Sequence, residues 1–319
     1  MEKRQLGNTD LYTYPVVFGC NVFGWTIDEK QSFAILDQLL ASGITTLDTA
    51  DVYSRWAEGN SGGESETIIG KWMKDRGVRE KINLITKVGG SLGKGHRNLT
   101  KAYILKTVEE SLQRLKTDHI DLYFSHWDDD VTPVEETLSA YEQLIKAGKV
   151  RFIGASNLSP ERLTASLEAS KRDGLPKYEV FQPEYNLYDR QGFEKGVAPI
   201  CQKEGLGVIS YYSLASGFLT GKYRSKDDLN KSARGGGIEK YLNTRGEKIL
   251  EALDDLSSKH NVSQAGIALA WLINKPVVTA PIASATKLKH IEAFLEATQV
   301  NLSTEDMEQL DNASTYSET

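Results

Sequence analysis

Three ionisable side chains stand at equal intervals in the first half of the sequence, each at the end of an apolar run. Asp48, Lys87 and His126 are 39 residues apart in both steps (48 to 87 and 87 to 126). One strand and one helix fit in such a step, so we expect the three side chains at one height on neighbouring parallel strands, facing one mouth. Tyr53 follows Asp48 by five residues and can fold back over the same point.

A phenol, an ammonium, a carboxylate and an imidazole in one pocket can reduce a carbonyl group. Hydride addition leaves negative charge on oxygen, which must be stabilised and protonated. Tyr53 is the predicted proton donor, and the ammonium of Lys87 is expected to lower its pKa from about 10. Asp48 is expected to keep Lys87 charged, and His126 to hold the carbonyl oxygen. Helix capping or simple solvation would also explain such residues singly, and spacing alone leaves both explanations open.

Eight apolar runs, each followed by a helical pattern, predict the elements that carry these side chains. The runs are residues 16–20, 44–48, 82–87, 120–126, 150–156, 178–182, 207–211 and 277–282. Eight strand–helix units with strands this apolar fit a closed (β/α)8 TIM barrel better than an open doubly wound sheet. No linker divides the chain, so residues 1–319 are predicted to form a single α/β domain.

Shorter patterns predict the elements around the barrel. Residues 4–17 are expected to form an N-terminal β-hairpin around Gly7-Asn8 that plugs the barrel floor, and an extra helix is expected at the C-terminus. After the fourth strand, Thr132 as N-cap, Pro133 as first helical residue and Glu135 in a capping box predict a helix that stops at Gly148.

Composition argues against several classes of protein. The net charge is -6 and basic residues form no stripe, so a nucleic-acid partner is not expected. No run approaches the roughly 18 apolar residues of a membrane span and no signal peptide is apparent, so we expect a cytoplasmic protein with no membrane partner. The two cysteines, Cys20 and Cys201, have no neighbours that would complete a metal site or a disulfide framework.

Six sequence blocks resemble the motifs of the aldo-keto reductase family, in its bacterial type. They are LDTADVY at residues 47–53, Thr86-Lys87, His126, GASN at 154–157, QPEYNL at 182–187 and GFLTGK at 217–222. The resemblance covers nearly the whole chain. It implies a nicotinamide-dependent reductase of aldehydes or ketones, in which the four side chains above are the catalytic tetrad and Tyr53 is the general acid.

The same resemblance implies a cofactor site of thirteen residues. They are Ser156, Asn157, Gln182, Tyr211, Ser213, Leu214, Gly217, Leu219, Gly221, Lys222, Ser284, Thr286 and Lys287. The first three would hydrogen-bond the nicotinamide carboxamide, Tyr211 would stack under the ring, and the loop of residues 214–222 would cover the pyrophosphate.

Three departures from the family pattern bear on the cofactor. Tyr212 replaces the serine that normally follows Tyr211 and contacts phosphate, Thr286-Lys287 replaces an arginine that often holds a 2′-phosphate, and Phe294 replaces an asparagine that often meets the adenine. A helix N-terminus and the charge of Lys287 still favour NADPH, with NADH as the alternative.

Three tryptophans follow strands one, two and four, and these are Trp25, Trp56 and Trp127. They are expected to line an apolar pocket for a small carbonyl substrate, with packing beneath the loops as the other explanation. Two rival functions stay open: a nicotinamide-binding regulatory subunit resembling potassium-channel β-subunits, and a Schiff-base lyase with Lys87 as nucleophile. The sequence does not predict an oligomeric state.

Overall fold

The computed structural model describes residues 2–91, 97–232 and 235–316. A short antiparallel pair, β1 (Arg4–Gln5) and β2 (Tyr12–Thr13), precedes the barrel. The barrel strands are β3 (Val17–Gly19), β4 (Thr46–Asp48), β5 (Asn83–Val88), β6 (Ile120–Ser125), β7 (Val150–Ser156), β8 (Tyr178–Gln182), β9 (Gly207–Ser210) and β10 (Ala280–Ala283). They pair in parallel around a closed ring in which β10 lies between β9 and β3. The predicted (β/α)8 barrel is confirmed.

Helices cover the outside of the barrel. They are α1 (Glu29–Ala41), α2 (Glu64–Arg76), α3 (Lys101–Leu115), α4 (Val134–Lys146), α5 (Pro160–Asp173), α6 (Ala198–Glu204), α7 (Thr244–His260), α8 (Gln264–Ile273), α9 (Glu292–Gln299) and α10 (Thr304–Ala313). The sequence places apolar residues at helical spacing on α3, at Ile104, Val108, Leu112 and Leu115, and all four are buried. The last helix, α10, is the expected C-terminal addition. Within the described ranges, no helix combines the length and apolar character needed to cross a membrane.

The hairpin closes the floor of the barrel, as predicted. Leu6 and Leu11, in the loop between β1 and β2, are buried in a cluster with side chains of the barrel interior. Gly7 has a φ of 60°, and a Cβ atom there would lie 2.1 Å from the carbonyl oxygen of Glu179. Glycine therefore allows the loop to pack directly against the beginnings of β8 and β9.

The capping box predicted for the helix after the fourth strand is wrong. The residue before α4 is Pro133, and no side chain caps the helix. The Thr132 hydroxyl instead donates a hydrogen bond to Asp129 at 2.6 Å, and Glu135 forms an ion pair with an arginine of α5. Local loop bonding thus takes the hydroxyl that the pattern assigned to the cap. The predicted end is correct, since Gly148 follows the helix with a φ of 71°.

A cluster of polar side chains lies buried between the barrel and its helices. Glu66 of α2 accepts hydrogen bonds from Thr86 of β5 at 2.6 Å and from Arg114 of α3 at 2.7 Å. Asp51 is also buried, and neither of its carboxyl oxygens has a hydrogen-bond partner among the described residues. Burial, and then the charge of Glu66, raises the pKa of Asp51 well above its usual value. The folded protein therefore favours the protonated form of this carboxyl group.

Replacing Asp51 with asparagine is expected to stabilise the protein increasingly as the pH rises. Above a pKa of 3.8 the unfolded chain releases the Asp51 proton that the folded protein retains, so the wild-type free energy of unfolding falls by about 1.4 kcal/mol per pH unit until the folded-state pKa is reached. Asparagine has no such proton. Urea unfolding of wild type and Asp51→Asn at about pH 4 and about pH 7 measures the effect. The exposed Asp227→Asn is the control, and a stability difference equal at both pH values would show that Asp51 is ionised in the fold.

Candidate active site

The four side chains singled out in the sequence lie together at the carboxyl end of the barrel strands. Asp48 is the last residue of β4, Lys87 is the last but one of β5, and His126 directly follows β6. Lys87 Nζ donates hydrogen bonds to Asp48 Oδ2 at 2.7 Å and to the Tyr53 hydroxyl at 2.8 Å. The ring centroids of Tyr53 and His126 are 6.0 Å apart.

Strand register explains how equal spacing in the sequence brings these groups together. Asp48 pairs with Ile85, and Lys87 pairs with Phe124. Lys87 therefore lies two residues beyond the register partner of Asp48, and His126 lies two residues beyond the register partner of Lys87. Barrel strands are tilted and staggered, and this shift keeps the side chains at the same mouth.

Lys87 has its full set of hydrogen-bond acceptors. Its side chain has no exposed area, and Nζ also donates to the carbonyl oxygen of Thr49 at 2.8 Å. An ammonium group has three N–H bonds, and Asp48, Thr49 and Tyr53 accept all three. Burial lowers the pKa of Lys87, while the charge and hydrogen bond of Asp48 oppose that shift.

The phenol of Tyr53 stays protonated more firmly than the sequence analysis expected. Burial, followed by the charge of Asp48 and its 3.3 Å hydrogen bond with the hydroxyl, raises the pKa of Tyr53 well above its usual value. The expectation that the pKa of Tyr53 lies below its usual value is wrong. The carboxylate of Asp48 lies beside the ammonium and offsets its field, so the cost of burying a phenolate decides the direction.

His126 is a neutral group at this mouth. Burial, and then the charges of Lys87 and Arg97, lowers the pKa of His126 well below 6.5. Its Nδ1 atom is buried and has no hydrogen-bond partner among the described residues. A neutral imidazole has one N–H, so His126 can donate one hydrogen bond.

A cavity of about 1400 Å³ opens over these side chains. It exceeds the roughly 300–1,000 Å³ of a typical pocket for a drug-sized molecule, so a dinucleotide and a small substrate have room together. Ten of the thirteen predicted cofactor residues line it: Ser156, Asn157, Gln182, Tyr211, Ser213, Leu214, Gly217, Lys222, Ser284 and Thr286.

Three predicted cofactor residues do not line the cavity. Leu219 is fully buried beneath the loop, and Gly221 backs onto Gln264, whose Oε1 would lie 1.6 Å from a Cβ atom. Lys287 is exposed outside the wall, whereas Lys289 and His290 line the cavity instead. The run of basic residues was visible in the sequence, but the direction of each side chain depends on the tight turn that carries them.

Basic side chains lie at the end of the cavity that Lys289 and His290 line. His290 is partly buried, and its Nδ1 accepts a hydrogen bond from the Thr286 backbone N–H at 3.4 Å. Burial, followed by the charges of Lys287, Lys222 and Lys289, lowers the pKa of His290. Lys222, Lys287 and Lys289 are close enough to act on this imidazole. We call these three lysines the positive corner, which suits an anionic group.

Polar side chains at the ends of the later strands bind one another. Gln182 Nε2 donates to Asp48 Oδ1 at 2.9 Å, and Asn157 Nδ2 donates to the His126 carbonyl oxygen at 3.0 Å. The Tyr211 hydroxyl donates to Asn157 Oδ1 at 2.7 Å. Gln182 Oε1 has no partner among the described residues. An acceptor left over on the cavity wall fits the amide N–H of a nicotinamide.

The three predicted tryptophans lie around Tyr53 and His126. The ring centroids of Trp25 and Trp56 are 5.5 Å apart, those of Trp56 and Tyr53 are 6.0 Å apart, and those of Trp127 and His126 are 6.5 Å apart. All three tryptophans line the cavity, and Trp56 is 48% exposed. Nowhere in the described part of the chain are three or more His, Cys, Asp or Glu side chains grouped to hold a metal ion.

Comparison with known proteins agrees with the resemblance seen in the motifs. A sequence model described as the aldo/keto reductase family matches residues 15–315. The chain is 36% identical to the uncharacterized oxidoreductase YrpG of Bacillus subtilis (strain 168), over 98% of this chain and 95% of that protein. It is 32% identical to the aldo-keto reductase YhdN of the same organism, over 97% and 92% of the two chains. It is also 32% identical to a probable voltage-gated potassium channel subunit beta of Oryza sativa subsp. japonica, over 94% and 92%. The chain belongs to the aldo/keto reductase family of oxidoreductases.

Proposed function

We propose that this protein reduces aldehydes or ketones to alcohols with NADPH, and that Tyr53 is the general acid. The hydrogen-bonded series from Asp48 through Lys87 to the Tyr53 hydroxyl, which ends at the cavity, is the observation that carries the proposal. When bound, the reduced nicotinamide supplies a hydride to the carbonyl carbon. The protein must then protonate the oxygen.

Tyr53 transfers its proton to the developing alkoxide. In the structure its hydroxyl donates to Asp48 across 3.3 Å, a long hydrogen bond that a substrate oxygen can replace. As the proton leaves, negative charge grows on the Tyr53 oxygen, which already accepts a 2.8 Å hydrogen bond from Lys87. The ammonium is therefore in place for the transition state and needs no rearrangement.

His126 directs the carbonyl oxygen toward Tyr53. Its imidazole is neutral and lines the cavity, with its ring 6.0 Å from that of Tyr53. One N–H donated to the carbonyl oxygen would hold that oxygen between the two rings and polarise the carbonyl bond. His126 is a positioning group in this scheme, and Tyr53 supplies the proton.

The cofactor would lie along the remaining cavity wall. Gln182, Asn157 and Ser156 would hold the carboxamide, and Tyr211 would face the ring. Lys222 and Lys289, the members of the positive corner that line the cavity, would hold phosphate, including the 2′-phosphate that distinguishes NADPH from NADH.

The two rival functions are affected differently by the geometry. A Schiff-base lyase needs an accessible neutral lysine, whereas Lys87 is fully buried and gives its three N–H bonds to Asp48, Thr49 and Tyr53. The similarity to a probable channel β-subunit makes regulatory cofactor binding the second candidate. Tight NADPH binding without turnover of any aldehyde would favour that candidate.

The change Tyr53→Phe is expected to reduce kcat/KM by about 10²–10⁴-fold while leaving NADPH affinity nearly unchanged, because the proton is needed only in the transition state. Loss of NADPH absorbance with simple aldehydes measures turnover, and cofactor fluorescence measures affinity. Tyr12→Phe, on the exposed side of the hairpin, is the matched control. A Tyr53→Phe protein that keeps most of its turnover would refute the acid assignment.

Reduction is expected to show no titration near pH 6.5. The pKa of Tyr53 is raised and that of His126 is lowered, so neither group changes protonation in this range. A profile of kcat/KM against pH tests this directly. An inflection near 6.5 that disappears in His126→Gln would mean that His126 titrates during reduction.

Lysine substitutions two residues apart test the position of the 2′-phosphate. Lys289 lines the cavity and Lys287 does not, so Lys289→Ala should weaken NADPH binding by roughly three- to tenfold, and Lys287→Ala should have a smaller effect. Neither change should alter NADH binding much. If Lys289→Ala weakened the binding of NADPH and of NADH equally, the 2′-phosphate would have to be bound by other residues.

A further inference from the structure

Two arginines at the mouth of the cavity differ from the other arginines that the structure describes. Arginines in ion pairs are Arg76, Arg79, Arg114, Arg151, Arg162, Arg172, Arg190 and Arg224. Arg4 and Arg245 donate to backbone carbonyl oxygens away from the cavity. Arg55 and Arg97 line the cavity, and within the described ranges neither has a carboxylate partner. Residues 92–96 contain no Asp or Glu that could supply one.

Neutral groups hold both guanidinium groups in place. The guanidinium carbon of Arg97 lies 4.3 Å from the ring centroid of Trp127, and its Nη1 donates weakly to the carbonyl oxygen of Asp128 at 3.4 Å. Arg55 Nη1 donates to the carbonyl oxygen of Ser91. A guanidinium stacked on an aromatic ring keeps its N–H edge free for another acceptor.

Both arginines lie on the side of the cavity where His126 stands. Trp127, which carries Arg97 on its ring, has its centroid 6.5 Å from that of His126, and the charge of Arg97 contributes to the lowered pKa of His126. Arg55 is anchored to the residue after Gly90, where a Cβ atom would lie 3.1 Å from His126 Nδ1. The positive charge therefore flanks the place where the carbonyl group would bind.

The carboxylates that line the cavity are engaged with other partners or lie at its other end. Asp48 is paired with Lys87, and Glu184 lies 3.8 Å from Lys240. Glu292 and Glu296 belong to α9, at the end of the cavity that Lys222 and Lys289 line. A protein with a net charge of -6 thus keeps two uncompensated cations beside its tryptophan-lined pocket.

We propose that the substrate is a carbonyl compound with an acidic group, a carboxylate or a phosphate, that binds Arg97 and Arg55. Its apolar part would lie on Trp127 and the other two tryptophans, with the carbonyl oxygen between Tyr53 and His126. Guanidinium edges match the paired oxygens of both acidic groups. This inference rests on the proposed reductase function and specifies its substrate class.

Matched substrates test the inference. The comparisons are kcat/KM for 4-carboxybenzaldehyde and for 4-formylphenyl phosphate, each divided by kcat/KM for the neutral 4-formylbenzamide. We expect wild type to favour at least one acidic aldehyde by about tenfold, since a hydrogen bond to a charged group is worth roughly 1.5–3 kcal/mol. The preferred aldehyde tells whether the natural group is a carboxylate or a phosphate.

In Arg97→Met the ratio of kcat/KM for the acidic aldehyde to kcat/KM for 4-formylbenzamide should fall close to one. In Arg97→Lys the ratio should fall only in part. The control is Arg172→Met, which removes an equal charge from the surface of α5, and its ratio should match wild type. A wild-type ratio of one or less for both acids, with 4-formylbenzamide still reduced, overturns the inference and leaves the reductase function standing. So does a ratio that Arg97→Met leaves unchanged.

If no aldehyde is reduced, the reductase function is refuted. A binding experiment then tests the acidic-ligand site by itself. Calorimetry with the NADPH-loaded protein compares benzoate and phenyl phosphate with benzamide. Binding of either anion, at least about tenfold tighter than benzamide and lost in Arg97→Met, supports the acidic-ligand site. Absence of binding by both anions overturns it.

Discussion

The buried pair of Lys87 and Asp48 is the contact on which the whole site depends. A lone ammonium at this depth would lose its proton, and a lone carboxylate would gain one, so each group keeps the other charged. The pair has little net charge, which is why the nearby phenol of Tyr53 is governed by burial and holds its proton at rest. The ammonium already donates a 2.8 Å hydrogen bond to the Tyr53 hydroxyl, and this bond would strengthen as negative charge develops on the phenol oxygen. The parallel pairing of β4 with β5 matters because it sets the register for this 2.7 Å contact.

Much of the fold and part of the site could be predicted because they follow from periodic burial. Apolar runs identify parallel strands, and strand ends identify the mouth, so the convergence of Asp48, Lys87 and His126 could be anticipated. The sequence could not predict which hydrogen-bond partner a side chain would take or which of two nearby lysines would line the cavity. The Thr132 hydroxyl binds Asp129 instead of capping α4, and Lys289 lines the cavity whereas Lys287 does not. The shift of the Tyr53 pKa depends on solvent exclusion, which no residue pattern records.

Charge is arranged differently at the two ends of the cavity. At one end Lys222 and Lys289 line the cavity near helix α9, and at the other Arg97 stacks on Trp127 and Arg55 binds the Ser91 carbonyl oxygen. Arg55 and Arg97 are 42 residues apart in the chain (55 to 97) and both lie in loops, so only the barrel brings them together. The strands carry Asp48 and Lys87, whereas Tyr53 and the two arginines lie in the loops that follow the strands.

The plugged floor decides the direction from which ligands reach the site. Leu6 and Leu11 close the barrel from below, so molecules approach Asp48 and Gln182 from the end where the strands lead into the loops. The loops at that end therefore control access to these side chains.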